Sequence, residues 1–85
     1  PNVLDYIPLT DDYSIIDWTP GEDFIGKSLG ELKLKNEFGV QVVSIEDGEK
    51  DVKLIPKANH IIKKGDILVV IGENKNLEKL KEDKS

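Results

Sequence analysis

The stretch GDILVVIG at residues 65–72 decides the fold. Every position from Ile67 to Ile71 is apolar, whereas a strand with one solvent-exposed face would alternate apolar and polar residues. This run predicts a β-strand that is covered on both faces. A turn, Lys63-Lys64-Gly65-Asp66, precedes it and Gly72 ends it.

A β-hairpin is predicted immediately upstream of this turn. Gly39 opens a strand over Val40 to Ile45, and Asp47-Gly48 forms a turn, since this dipeptide tolerates positive backbone angles. The chain then returns over Val52 to Ile55, and Pro56 stops the second strand.

The first third of the chain predicts one more strand and the start of a helix. Tyr13 to Trp18 is a strand candidate that ends at the turn signal Pro20-Gly21. Ser28 has the position of a helix N-cap, and Glu31 lies three residues later, as a capping box requires.

Two short helices complete the pattern. Leu29 and Leu32 share one face of the first helix. Asn74 can cap the second, in which Leu77 and Leu80 mark the inner face. We therefore predict one α+β domain, a small β-sheet with two helices in the order β-α-β-β-β-α.

Composition excludes several classes of function. The chain has 85 residues and a net charge of −5, which disfavours a nucleic-acid partner. It has no cysteine, and its single histidine, His60, cannot build a metal cluster within one chain. The apolar run at 67–71 is too short to cross a bilayer.

The leading residues follow no clear period. Pro8 interrupts any helix in the segment up to Asp12, and its exposed hydrophobes indicate that it packs on another part of a longer protein. Because the chain begins at Pro1 without methionine, we expect an excised piece.

No residue pattern predicts catalysis. The spacing from Gly21 to Ser28 matches G-x-x-x-x-G-K-S, but Glu22 and Asp23 would repel a triphosphate. Phe24 and Ile25 would block the close approach of the backbone to phosphates, so we interpret the match as a coincidence and expect no enzyme.

Two groups of charged residues are candidates for binding. One group is acidic and could attract a divalent cation: Glu46, Asp47, Glu49 and Asp51. Neighbouring lysines favour a solvated hairpin tip instead. Lys35, between Leu34 and the turn Phe38-Gly39, can extend its ammonium to the rim of a pocket. Pro56 and Ile55 could supply apolar surface nearby.

The sequence resembles the TrkA-C (RCK-C) domain from about Asp12 to Leu80. The resemblance is carried by an opening strand, then FIGKSLGEL at 24–32, FGVQVVSI at 38–45 and GDILVVIG at 65–72 before a helix. The preceding NVLDYIPLT is similar to the linker of Ktr-type potassium transporter subunits. The resemblance implies a linker at 1–11 and a TrkA-C domain at 12–85.

The family's properties imply a regulatory role. An upstream Rossmann lobe, absent here, would bind ATP, ADP or NAD. This lobe would form a homodimer, and whole subunits would form a ring on the cytoplasmic face of the bacterial plasma membrane, beneath a potassium channel subunit. In several relatives two C-lobes bind cyclic di-AMP in the cleft between them, as a regulatory ligand rather than a cofactor.

Carried over by position, the resemblance implies a ligand shell in this chain. Leu29 and Leu34 would form apolar walls for adenine, and Lys35, which Asn36 follows, falls where relatives often have arginine. Gln41 falls near an amide that meets the base, Pro56 would close over the ring, and His60 is a further partner.

The resemblance implies that two departures from the family pattern would alter the affinity for the ligand rather than abolish binding. Lys35 cannot give the bidentate phosphate contact of arginine, and Gln41 reaches further than asparagine. A two-fold axis would supply two copies of Lys35 to a ligand with two phosphates. The alternatives are a purely structural dimerisation lobe, or a lobe that senses a divalent cation.

Overall fold

The computed structural model describes residues 3–82. One five-stranded antiparallel sheet has the order β1-β2-β5-β3-β4. Its strands are β1 Val3–Pro8, β2 Tyr13–Trp18, β3 Val40–Glu46, β4 Lys53–Leu54 and β5 Ile67–Glu73. The helices are α1 Leu29–Leu32, α2 Leu34–Phe38 and α3 Asn74–Glu82. The predicted α+β class is confirmed.

The predicted GDILVVIG strand is the middle of the sheet. β5 pairs with β2 on one side and β3 on the other, so its backbone bonds are satisfied on both edges. Leu68 and Val70 are fully buried in the core with the helix residues Leu77 and Leu80. The opposite face, which carries Val69, is half-buried in the chain. Coverage of both faces was predicted, but the described helices cover one face and the other is only half-buried.

The hairpin and the helix cap follow the local sequence signals. Ile45 pairs with Leu54 across the β3–β4 hairpin. Ser28 Oγ accepts the backbone N–H of Glu31 at 3.1 Å, and Glu31 Oε1 accepts that of Ser28 at 2.8 Å. The predicted capping box is therefore present.

The sequence analysis missed the strand β1. Residues 3–8 pair with β2 along the edge of the sheet, although no alternation predicted a strand there. A β-bulge between Val3 and Asp5 shifts the register, so the apolar residues change faces within the strand. Pro8 lies at the end of this edge strand, where a missing N–H is tolerated.

The first predicted helix is divided in two. Lys33 has a left-handed backbone (φ 48°, ψ 50°), which ends α1 and starts α2. Gly39, also left-handed at φ 71°, ends α2. Consequently the chain from Leu29 to Gly39 bends sharply instead of forming one straight helix.

Phe24 is a core residue rather than part of a phosphate loop. Its ring lies 5.0 Å from that of Trp18 in an edge-to-face arrangement. The N–H of Gly26 donates to the carbonyl of Ile62 at 2.8 Å. This amide, which a phosphate loop would turn towards its ligand, is therefore used within the fold.

Candidate functional site

A groove of about 270 Å³ opens where the α1–α2 bend meets the start of β3 and the segment after β4. Leucine, valine, proline and alanine side chains form its apolar walls, and three lysines lie around it. It is lined by Leu29, Gly30, Lys33, Leu34, Lys35, Val40, Gln41, Val42, Pro56, Lys57 and Ala58.

The charge of this groove is opposite to that of the whole chain. Lys33, Lys35 and Lys57 line it, and no carboxylate of the described residues does. None of the three lysines forms an ion pair within residues 3–82. The net charge of the chain is −5, so the groove is a local positive site that favours an anionic ligand.

The two walls of the groove are joined by backbone hydrogen bonds. Gly30 N–H donates to the carbonyl of Ala58 at 2.8 Å, and Leu29 N–H donates to that of His60 at 3.0 Å. Ser28 and Ile61 form an isolated antiparallel bridge beside them. Residues far apart in sequence are thereby held at fixed separation across the groove.

A buried carboxylate holds the segment after β4, which forms the second wall of the groove. The Asp66 side chain is fully buried and accepts the backbone N–H groups of Gly48 at 2.8 Å and Lys63 at 3.0 Å. His60 Nε2 lies 3.0 Å from Asp66 Oδ2. Burial alone would raise the pKa of Asp66, but the hydrogen bonds from Gly48, Lys63 and His60 lower it below its usual value.

Asp47 completes this group, which we call the clamp: Asp47, His60, Lys63 and Asp66. Asp47 Oδ1 accepts the backbone N–H groups of Glu49 and Lys50 at 2.8 and 3.0 Å, and its Oδ2 lies 3.0 Å from Lys63 Nζ. The N–H of Lys50 is the main cause that holds the pKa of Asp47 far below its usual range, followed by Lys63 and the N–H of Glu49. The clamp joins the hairpin tip to the segment 57–66.

The acidic hairpin tip is a hydrogen-bonded turn. Asp47 is 5% exposed and its oxygens already accept two amides and an ammonium. Residues 3–82 contain no cluster of three or more side chains suited to hold a metal ion. The cation-binding alternative has no geometric support in that part of the chain.

The structure brings five of the predicted ligand residues to the groove and leaves two outside it. Lining the groove are Leu29, Leu34, Lys35, Gln41 and Pro56. Asn36 is exposed on α2 beyond the lining. His60 lines a second opening with Ile55 and makes its hydrogen bond to Asp66. The ligand contacts themselves stay predictions.

Several residues of the site were not singled out from the sequence. Lys33 and Lys57 were visible only as two of many lysines, and Ala58 carries no signal of its own. Asp66 was interpreted as a turn residue, although its carboxylate is buried. A charged residue directly before an all-apolar strand is the one signal that could have indicated a buried partner.

No helix among residues 3–82 is long and apolar enough to cross a membrane. The described residues form one sheet with helices packed on it and an apolar groove rimmed by lysines.

The sequence model of the TrkA-C domain family matches residues 14–84. The chain belongs to this family. It is 35% identical over 71 residues to Ktr system potassium uptake protein C of Bacillus subtilis (strain 168), a match that covers 84% of this chain and 32% of that protein. It is 36% identical over 86 residues to the K(+)/H(+) antiporter subunit KhtT of the same organism, over 98% of this chain and 52% of the subunit.

A solved structure has the same architecture. The RCK C domain of the potassium transport protein KtrA, in complex with cyclic diadenosine monophosphate, superposes with a TM-score of 0.77 and 27% identity, over 86% of this chain and 85% of that one. The chain spans about a third to a half of the two curated relatives above. The predicted family and fold are confirmed.

Proposed function

We propose that this domain is the regulatory lobe of a bacterial potassium transporter gating subunit, and that two copies bind cyclic di-AMP between them to control potassium uptake. The observation that carries the proposal is the groove, where three lysines with no ion pair among residues 3–82 lie beside apolar walls on an acidic chain. A dinucleotide with two phosphates and two adenines needs both chemistries. The complex of the KtrA domain with this ligand supports the choice.

A site shared by two chains would combine two copies of the groove. Each copy has a volume of about 270 Å³ and three lysines. A two-fold axis beside the groove would double the volume and the number of lysines, and it would match the two-fold symmetry of the ligand. Each chain would supply half of the site.

Apolar and polar groups have separate roles in this site. Leu29, Leu34 and Pro56 would enclose an adenine, while Lys35 would neutralise a phosphate. Gln41 lines the same groove and its amide would reach the base edge. Asn36 and His60 would contribute from outside the lining, His60 chiefly by fixing the second wall through Asp66.

Regulation requires the ligand to favour one arrangement of the two lobes. Cyclic di-AMP would shift the equilibrium only by the difference between its affinities for the two arrangements. Residues 1–11 would carry that shift to an upstream nucleotide-binding lobe. The whole subunit would lie in the cytoplasm, against the inner face of the plasma membrane through its channel partner.

Calorimetric titration of the purified chain with cyclic di-AMP tests the proposal. We expect one ligand bound per two chains, together with a dimer in light scattering. Lys35→Ala should weaken binding about tenfold, because a charge-assisted phosphate contact is lost in each half-site. Lys79→Ala, which removes one charge from α3 outside the groove, is the matched control.

Two results would contradict the proposal. Flat heats at high ligand concentration would leave the structural dimerisation lobe as the function of this domain. A strictly monomeric chain in the presence of ligand would remove the shared site.

A further inference from the structure

Lys33 combines a strained backbone with a side chain that lines the groove. Its backbone is left-handed (φ 48°, ψ 50°), a region that disfavours residues with a Cβ atom. Its side chain lines the groove with Lys35 and Lys57. Glycine or asparagine is the usual residue where a helix ends in this conformation.

The fold does not need a lysine side chain at this point. The N–H of Lys33 donates to the carbonyl of Leu29 at 3.2 Å, and its carbonyl accepts the N–H of Glu37 at 2.8 Å. Both bonds use backbone atoms that any residue except proline would supply. The side chain is exposed and forms no ion pair within residues 3–82.

We infer that Lys33 is a phosphate-binding residue of the groove, kept in a strained backbone conformation at a cost to the stability of the domain. Strained residues persist where function requires them, and the ammonium at the α1–α2 bend provides such a function. This inference rests on the proposed binding of a dianionic dinucleotide, and it adds a contact that the sequence resemblance did not indicate.

The bend gives position 33 a geometric advantage. Because Lys33 is left-handed and lies between the two short helices, its side chain does not belong to the side chains of α2, which begins at Leu34. Lys33 and Lys35 therefore approach the groove from different elements, and Lys57 approaches from the opposite wall. Three cations from separate parts of the chain can approach a phosphate from different sides, and the phosphate offsets their mutual repulsion.

A second strained residue serves as an internal control. Asp51 is the other described residue, apart from glycines, with a positive φ, at 55°. It lies at the β3–β4 hairpin tip and does not line the groove. Replacement of either residue by glycine should relieve the same kind of strain, but one change removes a groove cation and the other does not.

The experiment compares four variants of the whole chain with the unaltered chain, by thermal unfolding without ligand and by calorimetric titration with cyclic di-AMP. Lys33→Gly should raise Tm by about 4 °C, because an unfavourable backbone angle becomes allowed. The same change should raise Kd about tenfold through loss of the ammonium. Lys33→Ala should raise Kd equally and leave Tm near its original value.

The controls separate strain from charge. Asp51→Gly should raise Tm and leave Kd unchanged, and Lys79→Ala should change neither appreciably. An unchanged Kd in Lys33→Gly, while the unaltered chain binds, would overturn this inference and leave the proposed function standing. A lower Tm for Lys33→Gly than for Lys33→Ala would contradict the inference that the strained backbone at Lys33 lowers the stability of the domain. Absence of binding by the unaltered chain would overturn both proposals.

Discussion

The clamp and the groove use charged residues in opposite ways. In the clamp, Asp66 is buried with four hydrogen-bond donors or cations around it, and Asp47 accepts two amides and an ammonium. In the groove, three lysines lie beside apolar walls and form no ion pair within residues 3–82.

This difference separates structural charges from those available to a ligand. A buried carboxylate is retained only where hydrogen bonds offset its desolvation, so the clamp contributes to folding. Exposed, unpaired cations add little to stability and can be neutralised by an incoming anion. The clamp holds the segment 57–66, and the groove uses one end of that segment as its wall.

The largest effect should follow removal of the Asp66 carboxylate. Asp66→Ala leaves the N–H groups of Gly48 and Lys63 and the ring of His60 without the buried carboxylate that accepts from them. We expect the free energy of unfolding in urea to fall by about 3 kcal/mol, which is a large part of the stability of a domain this size. Glu49→Ala, on the exposed hairpin tip, should change it by less than about 0.5 kcal/mol.

The outcome also tests the division between the two regions. If Asp66→Ala were as stable as the unaltered chain, the clamp would not hold the second wall. Should Lys35→Ala destabilise the chain as strongly as Asp66→Ala, the groove lysines would be structural, and the distinction between the regions would be lost.

Local patterns predicted most of the fold. The apolar run at 67–71, the Asp47-Gly48 turn and the Ser28 capping box each depend on neighbours in sequence, and each forms the predicted element, although the strand at 67–71 is fully buried on one face only. β1 escaped prediction because a bulge breaks its alternation and because an edge strand carries a weaker pattern.

The groove was less accessible to sequence reasoning. Its walls meet because residues 26–30 pair with 58–62, a contact between distant segments that no local period encodes. The bend at Lys33 carries no glycine or asparagine signal, since the strained residue there is a lysine. The resemblance to the TrkA-C family named five residues that line the groove, but residue types alone indicated only Lys35 and Pro56.

Acid should weaken the clamp. The pKa of Asp47 is lowered in the folded chain, chiefly by the N–H of Lys50 and then by Lys63. Its contribution to stability is therefore present above the ordinary carboxyl pKa of 3.8 and is lost as the pH falls towards the lower folded value. We expect Tm to fall steeply below about pH 4.

Asp47→Asn isolates this contribution. The variant should have a lower Tm than the unaltered chain at pH 7, and the two values should converge as the pH falls, because protonation removes the same charge. Glu49→Gln should follow the unaltered chain throughout. Parallel pH profiles for Asp47→Asn and the unaltered chain would show that Asp47 contributes no more than an exposed carboxylate.

The smallest expected effect is that of added salt, which should lower the ligand affinity of the groove but hardly change the stability that the clamp supports. Lys33, Lys35 and Lys57 act near the surface, where added salt screens charges beyond a few ångströms. The affinity for cyclic di-AMP should fall several-fold between about 0.05 and 0.5 M KCl, while Tm without ligand changes little because the Asp66 side chain is fully buried. Lys35→Ala should reduce the salt dependence, since fewer cations then meet the phosphates. An affinity independent of salt would mean that ligand binding rests on the apolar walls, and the lysines would lose their assigned role.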